Sequence, residues 1–280
     1  MHINYYQGMT NNNLGRAGLL ILVLLMAIAL LAPWVAADSA REPSLNILQG
    51  PSWQHPLGTN DLGQDILSRL MHGARTSLVT AVGTGLLTVL LGVTLGAGAA
   101  LMGGRGERAI MRITDVFLVL PAMLVIIVVA AYLRPGTATT ILILSVFSWA
   151  GTARIIRAHT LSLKNRVHIL AAQTFGAGKG YIFCKHIIPD LVPLLVASFI
   201  QQGRRAVFME ASLAFLGLSD PTAISWGVML RQAWEFSCLG AWNWLLAPGL
   251  ALSLTIVAFS FVGYALEETM NPEIGEHHHA

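Results

Sequence analysis

The sequence predicts an all-α polytopic membrane protein with about six transmembrane helices, and two observations carry that expectation. The first is composition: 55% of the 280 residues are hydrophobic, 11% are charged, and the mean hydropathy is +0.64. Soluble domains run near 25% charged. A chain so poor in charge cannot cover a water-facing surface with ionic groups, so lipid must cover much of it. The second is the spacing of the charges that remain. They leave uncharged runs long enough to cross a bilayer, which takes about 20 largely apolar residues.

The runs follow in chain order. Ala17–Ala37 lies between Arg16 and Asp38, and Thr76–Gly104 between Arg75 and Arg105. Val116–Leu133 fills the gap between Asp115 and Arg134, and Pro135–Ala153 ends at Arg154. Leu191–Met209 is apolar except for Arg204 and Arg205, and Phe236–Leu266 supplies a sixth span from Trp244 onward. Val35-Ala36-Ala37 resembles a signal-peptide cleavage site. The first run is nevertheless long for a signal core, and five spans follow it, so it is read as an uncleaved helix.

Lysines and arginines in short loops favour the cytoplasmic side. With the N-terminus inside, ten fall on inside segments: Arg16, Arg105, Arg108, Arg112, Arg154, Arg157, Lys164, Arg166, Lys179 and Lys185. Five fall outside: Arg41, Arg69, Arg75, Arg134 and Arg231. Both termini are therefore expected in the cytoplasm. The organisation that follows is a cytoplasmic N-terminus at 1–16, a first transmembrane helix at 17–37 and an extracytoplasmic segment at 38–75. A five-helix core at 76–268 contains a cytoplasmic loop at 154–190, and a cytoplasmic tail occupies 269–280. The net charge of +3 is a matter of topology and does not point to nucleic acid.

Outside, the end of the first segment, Asp61–Leu78, has apolar residues at helical spacing and reads as an amphipathic helix leading into the second span. Leu213–Trp244 carries Trp226, Trp234, Trp242 and Trp244, read as interface anchors, with substrate stacking as the alternative. Inside, the 154–190 loop is too long for a passive connection. Arg166–Phe175 reads as a short helix, broken by Gly176, Gly178 and Gly180. Lys179–Ile188 reads as a second short helix stopped before Pro189. The small side chains of Ala171 and Ala172 let a partner approach the backbone. The alternative is a solvated basic loop holding lipid headgroups.

Ala171-Ala172-x-x-x-Gly176, followed by Ile188-Pro189, resembles the "EAA" coupling loop of ATP-binding-cassette importer permeases. Leu170 stands where many members have the glutamate, so no salt bridge of that glutamate carries over. His55-Pro-Leu-Gly-Thr-Asn-Asp-Leu-Gly-Gln-Asp-Ile-Leu-Ser-Arg-Leu70 and Gly73-Ala-Arg-Thr-Ser-Leu78 resemble the region before the second helix of peptide- and nickel-type permeases. Glu210-Ala-Ser-Leu-Ala-Phe-Leu-Gly-Leu218 and Ser225-Trp-Gly-Val-Met229 resemble the end of the fifth helix and the next loop in the same group. The matches run from about His55 to Pro272, and they are to the second of the two permeases such systems pair.

The resemblance implies a type I importer permease fold in a bacterial or archaeal inner membrane and an alternating-access mechanism. It implies a homologous second permease, two ATPase subunits holding ATP and magnesium, and an extracytoplasmic substrate-binding protein. It assigns ATPase coupling to Ala171, Ala172, Gly176, Gly178, Ile188 and Pro189. No cofactor is expected on this chain, and no catalysis. Gly176-Ala-Gly-Lys179 lacks the spacing and the Ser/Thr of a phosphate loop, and no GxSxG or HExxH motif occurs.

Cys184 and Cys238 have no CxxC spacing and read as isolated thiols, and no metal site is expected. His277-His278-His279 read first as a residual tag or solvated tail, and because imidazole suits nickel they give a faint lean of the cargo toward nickel over peptides. Arg204, Arg205 and Glu210 are expected in the translocation path. Pairing of the arginines with Glu210, or their snorkelling to headgroups, is the alternative. The rival classes are an ion-coupled secondary carrier and a membrane scaffold that transports nothing.

Overall fold

A computed structural model describes residues 12–36, 40–239 and 242–270. Among them every regular element is a helix. Five helices are long and apolar enough to cross a membrane, and a bent pair raises the number to six.

Helix α1, Asn13–Val35, starts at Asn12, whose side chain accepts a hydrogen bond from the Leu14 amide at 2.8 Å. It lies along the last helix, α9 (Trp242–Met270). Gly18 is the point of closest approach, because a Cβ there would stand 2.7 Å from the Ala258 carbonyl oxygen.

Helix α2, Ile66–Met102, is continuous from the segment that follows α1 through the second span. Asp65 caps it by accepting from the Ser68 amide at 2.7 Å. The expected amphipathic helix is thus the first turns of α2 itself, and the division at 75/76 falls inside a helix. Residues 61–65 instead form a turn in which the Asn60 side chain accepts from the Leu62 and Gln64 amides at 3.0 and 2.7 Å. Arg69 on α2 donates to Gln232 of α8 (Trp226–Glu235) at 2.9 Å, and Asn243 of α9 donates to the Leu57 carbonyl at 2.7 Å. The segment that carries the family resemblance is therefore tied to three helices.

The third expected span is broken. Helix α3, Gly104–Val119, and α4, Ala122–Tyr132, meet at 87°. Pro121 is the cause. It has no amide hydrogen to donate, and it forces Leu120 into extended backbone, φ −69° and ψ 135°. At 11 residues α4 is too short to cross alone. Helix α3 is held to α5 (Thr137–Lys164) by the Arg154–Asp115 ion pair and by Arg157 Nε donating to Glu107 at 2.7 Å.

Helix α5 ends at Lys164, whose ammonium donates to the Ala100 carbonyl at 2.9 Å. The short helix α6, Val167–Thr174, follows, then α7, Lys179–Phe215. Helix α7 corrects a second expectation: it does not stop before Pro189. The five residues Phe183–Ile187 form a wide π turn just ahead of that proline. An ordinary α turn would push the ring into the carbonyl four residues back, and the wider turn removes that clash. The expected second loop helix and the expected fifth span are therefore one rod of 37 residues.

Two of the four tryptophans are core residues and not interface anchors. Trp226 and Trp244 are fully buried, and the Trp226 indole donates to the Leu70 carbonyl at 3.0 Å. Trp234 and Trp242 are exposed.

Candidate functional site: a short exposed helix and a cationic cavity

Two places in the fold hold the residues that the sequence singled out. The first is α6. Its inner face carries Ile169, fully buried in a cluster with Ile156, Leu163, Ile182, Ile187 and Leu191. Its outer face is bare: Val167, Leu170, Ala171 and Phe175 are exposed, Phe175 at 90%. A helix of eight residues would not hold its shape alone in water. Here the buried Ile169 and the flanking contacts of Arg166 and His168 with Asp190, at 3.5 and 3.8 Å, fix it against α7.

Gly176 ends α6 at φ +83°, the left-handed conformation that an L side chain resists. The Gly176 amide donates to the Gln173 carbonyl and the Ala177 amide to the Ala172 carbonyl, both at 3.0 Å. These two bonds make the double hydrogen-bonded helix end known as a Schellman motif. Gly176 is thus required by the backbone, whereas a Cβ added at Gly178 meets nothing within 4 Å and needs no positive φ.

Ala171, Ala172, Gly176 and Gly178 are together at this exposed end. Ile188 and Pro189 are not part of that surface but lie in the body of α7, past the π turn. The exposed aromatic Phe175 is a member of the surface that the small-residue pattern passed over. An apolar residue just before a helix-ending glycine was its only signal.

The second place is a cavity of about 380 Å³ between α5, α7 and α9. Arg204, Arg205, Gln201, Gln202, Thr152 and Gly151 are among the residues that line it. Arg204 lies about 20 Å along α7 from Leu191, at 1.5 Å per residue. That places it well inside the span, where a lipid-facing charge costs about 2.5–3.5 kcal/mol. Among the described residues neither guanidinium has a hydrogen-bond or ion-pair partner. The charges are accommodated by facing the cavity.

Glu210 does not join them. It is 4% exposed and accepts from the Ser77 hydroxyl at 3.2 Å and from Ser225, so it ties α2, α7 and the start of α8 together. Ser225 is delivered by a turn in which Asp220 accepts from the Thr222 amide and hydroxyl at 2.9 and 2.6 Å. Those bonds hold the Asp220 carboxyl below the usual carboxylate range. The alternative pairing of Glu210 with the arginines is therefore absent, and the three expected path residues divide into a free cationic pair and a buried carboxylate.

One consequence is testable. Glu210→Leu strands the Ser77 and Ser225 hydroxyls and is expected to cost about 1–3 kcal/mol, lowering the yield of folded protein. Glu210→Gln keeps an acceptor and is expected to retain uptake. Loss of uptake in a well-folded Glu210→Gln protein would instead mark Glu210 as an essential ionisable group, as a proton-coupled carrier requires.

The comparison with known proteins decides between the broad classes. Residues 89–276 match the family described as "binding-protein-dependent transport system inner membrane component". This chain belongs to that family. It is 35% identical to the dipeptide transport system permease protein DppC of Bacillus subtilis, over 96% of this chain and 85% of the relative. It is 34% identical to the oligopeptide transport system permease protein OppC of the same organism, over 94% and 87%. It is 36% identical to the nickel transport system permease protein NikC of Escherichia coli K12, over 94% of this chain and 96% of the relative. The protein is thus a multi-pass membrane permease of a binding-protein-dependent importer, in a family that transports and does not catalyse.

Proposed function

We propose that this permease forms one half of the pore of an ATP-driven importer for di- or oligopeptides or for nickel chelates. ATP and magnesium are bound by two separate ATPase subunits. A homologous second permease completes the pore, and an extracytoplasmic binding protein delivers the cargo. The observation that carries the reading is α6, whose buried Ile169 anchors it while its outer face is left bare for a partner. A rigid short helix joined to the long rod α7 transmits a push from an ATPase to the membrane helices. Ala171, Ala172, Gly176 and Gly178 carry the contact, joined by Phe175, and Ile188 and Pro189 serve the joint with α7. The alternative occupant of a basic loop, lipid headgroups, does not favour four exposed apolar or small residues on one short helix.

In this reading both termini and α6 are cytoplasmic, with α3 and α4 counted as one broken crossing. The core 76–268 then acts as the pore-forming unit, and α1 packs against its last helix. The nickel lean rested on His277–His279, which lie outside the described residues, so peptides and nickel chelates stand together on the relatives' names.

The test combines topology and partnership. Cys184 and Cys238 are both exposed free thiols. An impermeant maleimide applied to intact cells is expected to leave Cys184 unlabelled and to label Cys238. Reconstituted with its partner subunits, the permease should support uptake that needs both ATP and the binding protein. Labelling of Cys184 from outside would overturn the orientation, and uptake driven by an ion gradient alone would overturn the mechanism.

A further inference from the structure

The cationic cavity is not isolated. Phe208 and Ile256 line both it and a second cavity of about 520 Å³ farther along α7, toward the expected outer side. That outer cavity is bounded mainly by apolar residues, among them Ala211, Phe215, Leu230 and Leu252. On the inner side, Gln201 and Arg204 also line a third cavity of about 270 Å³, which reaches Tyr264 and Glu267. The three share residues in sequence and so trace a single groove along α7 and α9. From Ala197 to Leu216 the groove follows about 28 Å of helix. Its outer stretch is apolar and its middle is doubly cationic. Glu267 is the acidic residue of the inner stretch and forms no ion pair with Arg204.

We infer that Arg204 and Arg205 form a carboxylate-binding station in the translocation path, and that the cargo carries a free carboxylate next to apolar groups, as a short peptide with an unblocked C-terminus does. The inference rests on the permease reading and narrows its cargo. Two free guanidiniums in a low-dielectric wall attract an anion more strongly than they would in water. A bare divalent cation is repelled by the same pair. The apolar cavity beyond Phe208 accepts side chains that a free inorganic anion lacks. Gln202 adds polarity to the middle stretch: its amide donates to Thr152 at 3.0 Å, and its carbonyl oxygen has no partner. The station is suited to passing cargo onward, because further cavities adjoin it on both sides along α7.

The experiment reads occupancy of the cavity directly, independently of what the binding protein selects. Gly151 lines the cavity on α5, and a Cβ there meets nothing within 4 Å, so Gly151→Cys fits without displacement. In the assembled transporter, with Cys184→Ser and Cys238→Ser, labelling by neutral N-ethylmaleimide is timed with trileucine or trileucine amide present. Trileucine should slow labelling about tenfold at ten times its Kd. The amide, lacking the carboxylate, should bind about tenfold or more weakly and protect correspondingly less. Arg204→Gln with Arg205→Gln should abolish protection by trileucine, and Arg204→Lys with Arg205→Lys should restore part of it.

Equal protection by acid and amide in the arginine-intact protein overturns the inference without any arginine being changed. Protection that survives the glutamine pair overturns it as well. Failure of the permease reading would show separately, as absence of ATP- and binding-protein-dependent uptake for every cargo tried.

Discussion

Ala171→Trp is expected to reduce ATP-dependent uptake on the order of thirtyfold, the equivalent of about 2 kcal/mol at an interface hot spot. Ala171 is exposed on the outer face of α6, so the added indole is directed away from the buried Ile169 side and toward a partner. Gly178→Trp should act the same way, since the space around its Cβ is open and its backbone suits any residue. In both, the amount of membrane-inserted permease should be unchanged, and ATP hydrolysis by the partner subunits should no longer rise with cargo-loaded binding protein. Gly176→Ala separates docking from backbone strain. It adds a single methyl but opposes φ +83°, so it should loosen the helix end at a cost of about 1–2 kcal/mol. Uptake at wild-type rate in both tryptophan variants would remove α6 as the contact with the ATPase.

The second large effect is on folding. Gly96→Val should lower the thermal stability and yield of the detergent-solubilised protein. A Cβ at Gly96 would stand 2.3 Å from the carbonyl oxygen of Ala153, and that oxygen belongs to the backbone of α5. A backbone atom cannot rotate away, so α2 and α5 must separate along their crossing. Overpacking of this kind costs about 1–3 kcal/mol, occasionally more. Gly92 lies one turn earlier against Thr152, giving the close approach that small residues four apart permit between membrane helices. Gly98→Ala is the internal control, because its Cβ would meet only the tip of Met102 at 3.9 Å. If Gly96→Val and Gly98→Ala melt together, the crossing is not held by that contact.

The fold class was legible because the bilayer imposes a local requirement. Each crossing must be a long run of apolar residues, and such a run is visible in the chain without knowing what it touches. Five long helices fall on expected runs for that reason. The short helix α6 was legible too, since Gly176 ends it by a backbone preference that belongs to the residue itself. Local signals were present but misread at the prolines. Pro121 sits within an uncharged run and breaks it, whereas Pro189 looks like a stop and is passed by a π turn. What separates them is the neighbouring backbone, which in the second case widens to fit the ring.

Three further features were decided by tertiary structure alone. Glu210 is close to Arg204 and Arg205 in sequence, and proximity suggested a pair. Packing instead turned Glu210 toward Ser77, which is 133 residues away, and left the arginines on the cavity. Trp226 and Trp244 had the composition of interface anchors but are buried: Trp226 donates to Leu70 of α2, 156 residues away, and Trp244 stacks on Phe236. Phe175 became part of the exposed face of α6 only because Ile169, six residues before it, takes the buried side. Apolar length and backbone preference are properties of a segment, so the sequence by itself determined the crossings and the glycine turn that ends α6. Which face of a helix meets protein, lipid or cavity depends on partners distant in the chain, and only the folded structure decided that.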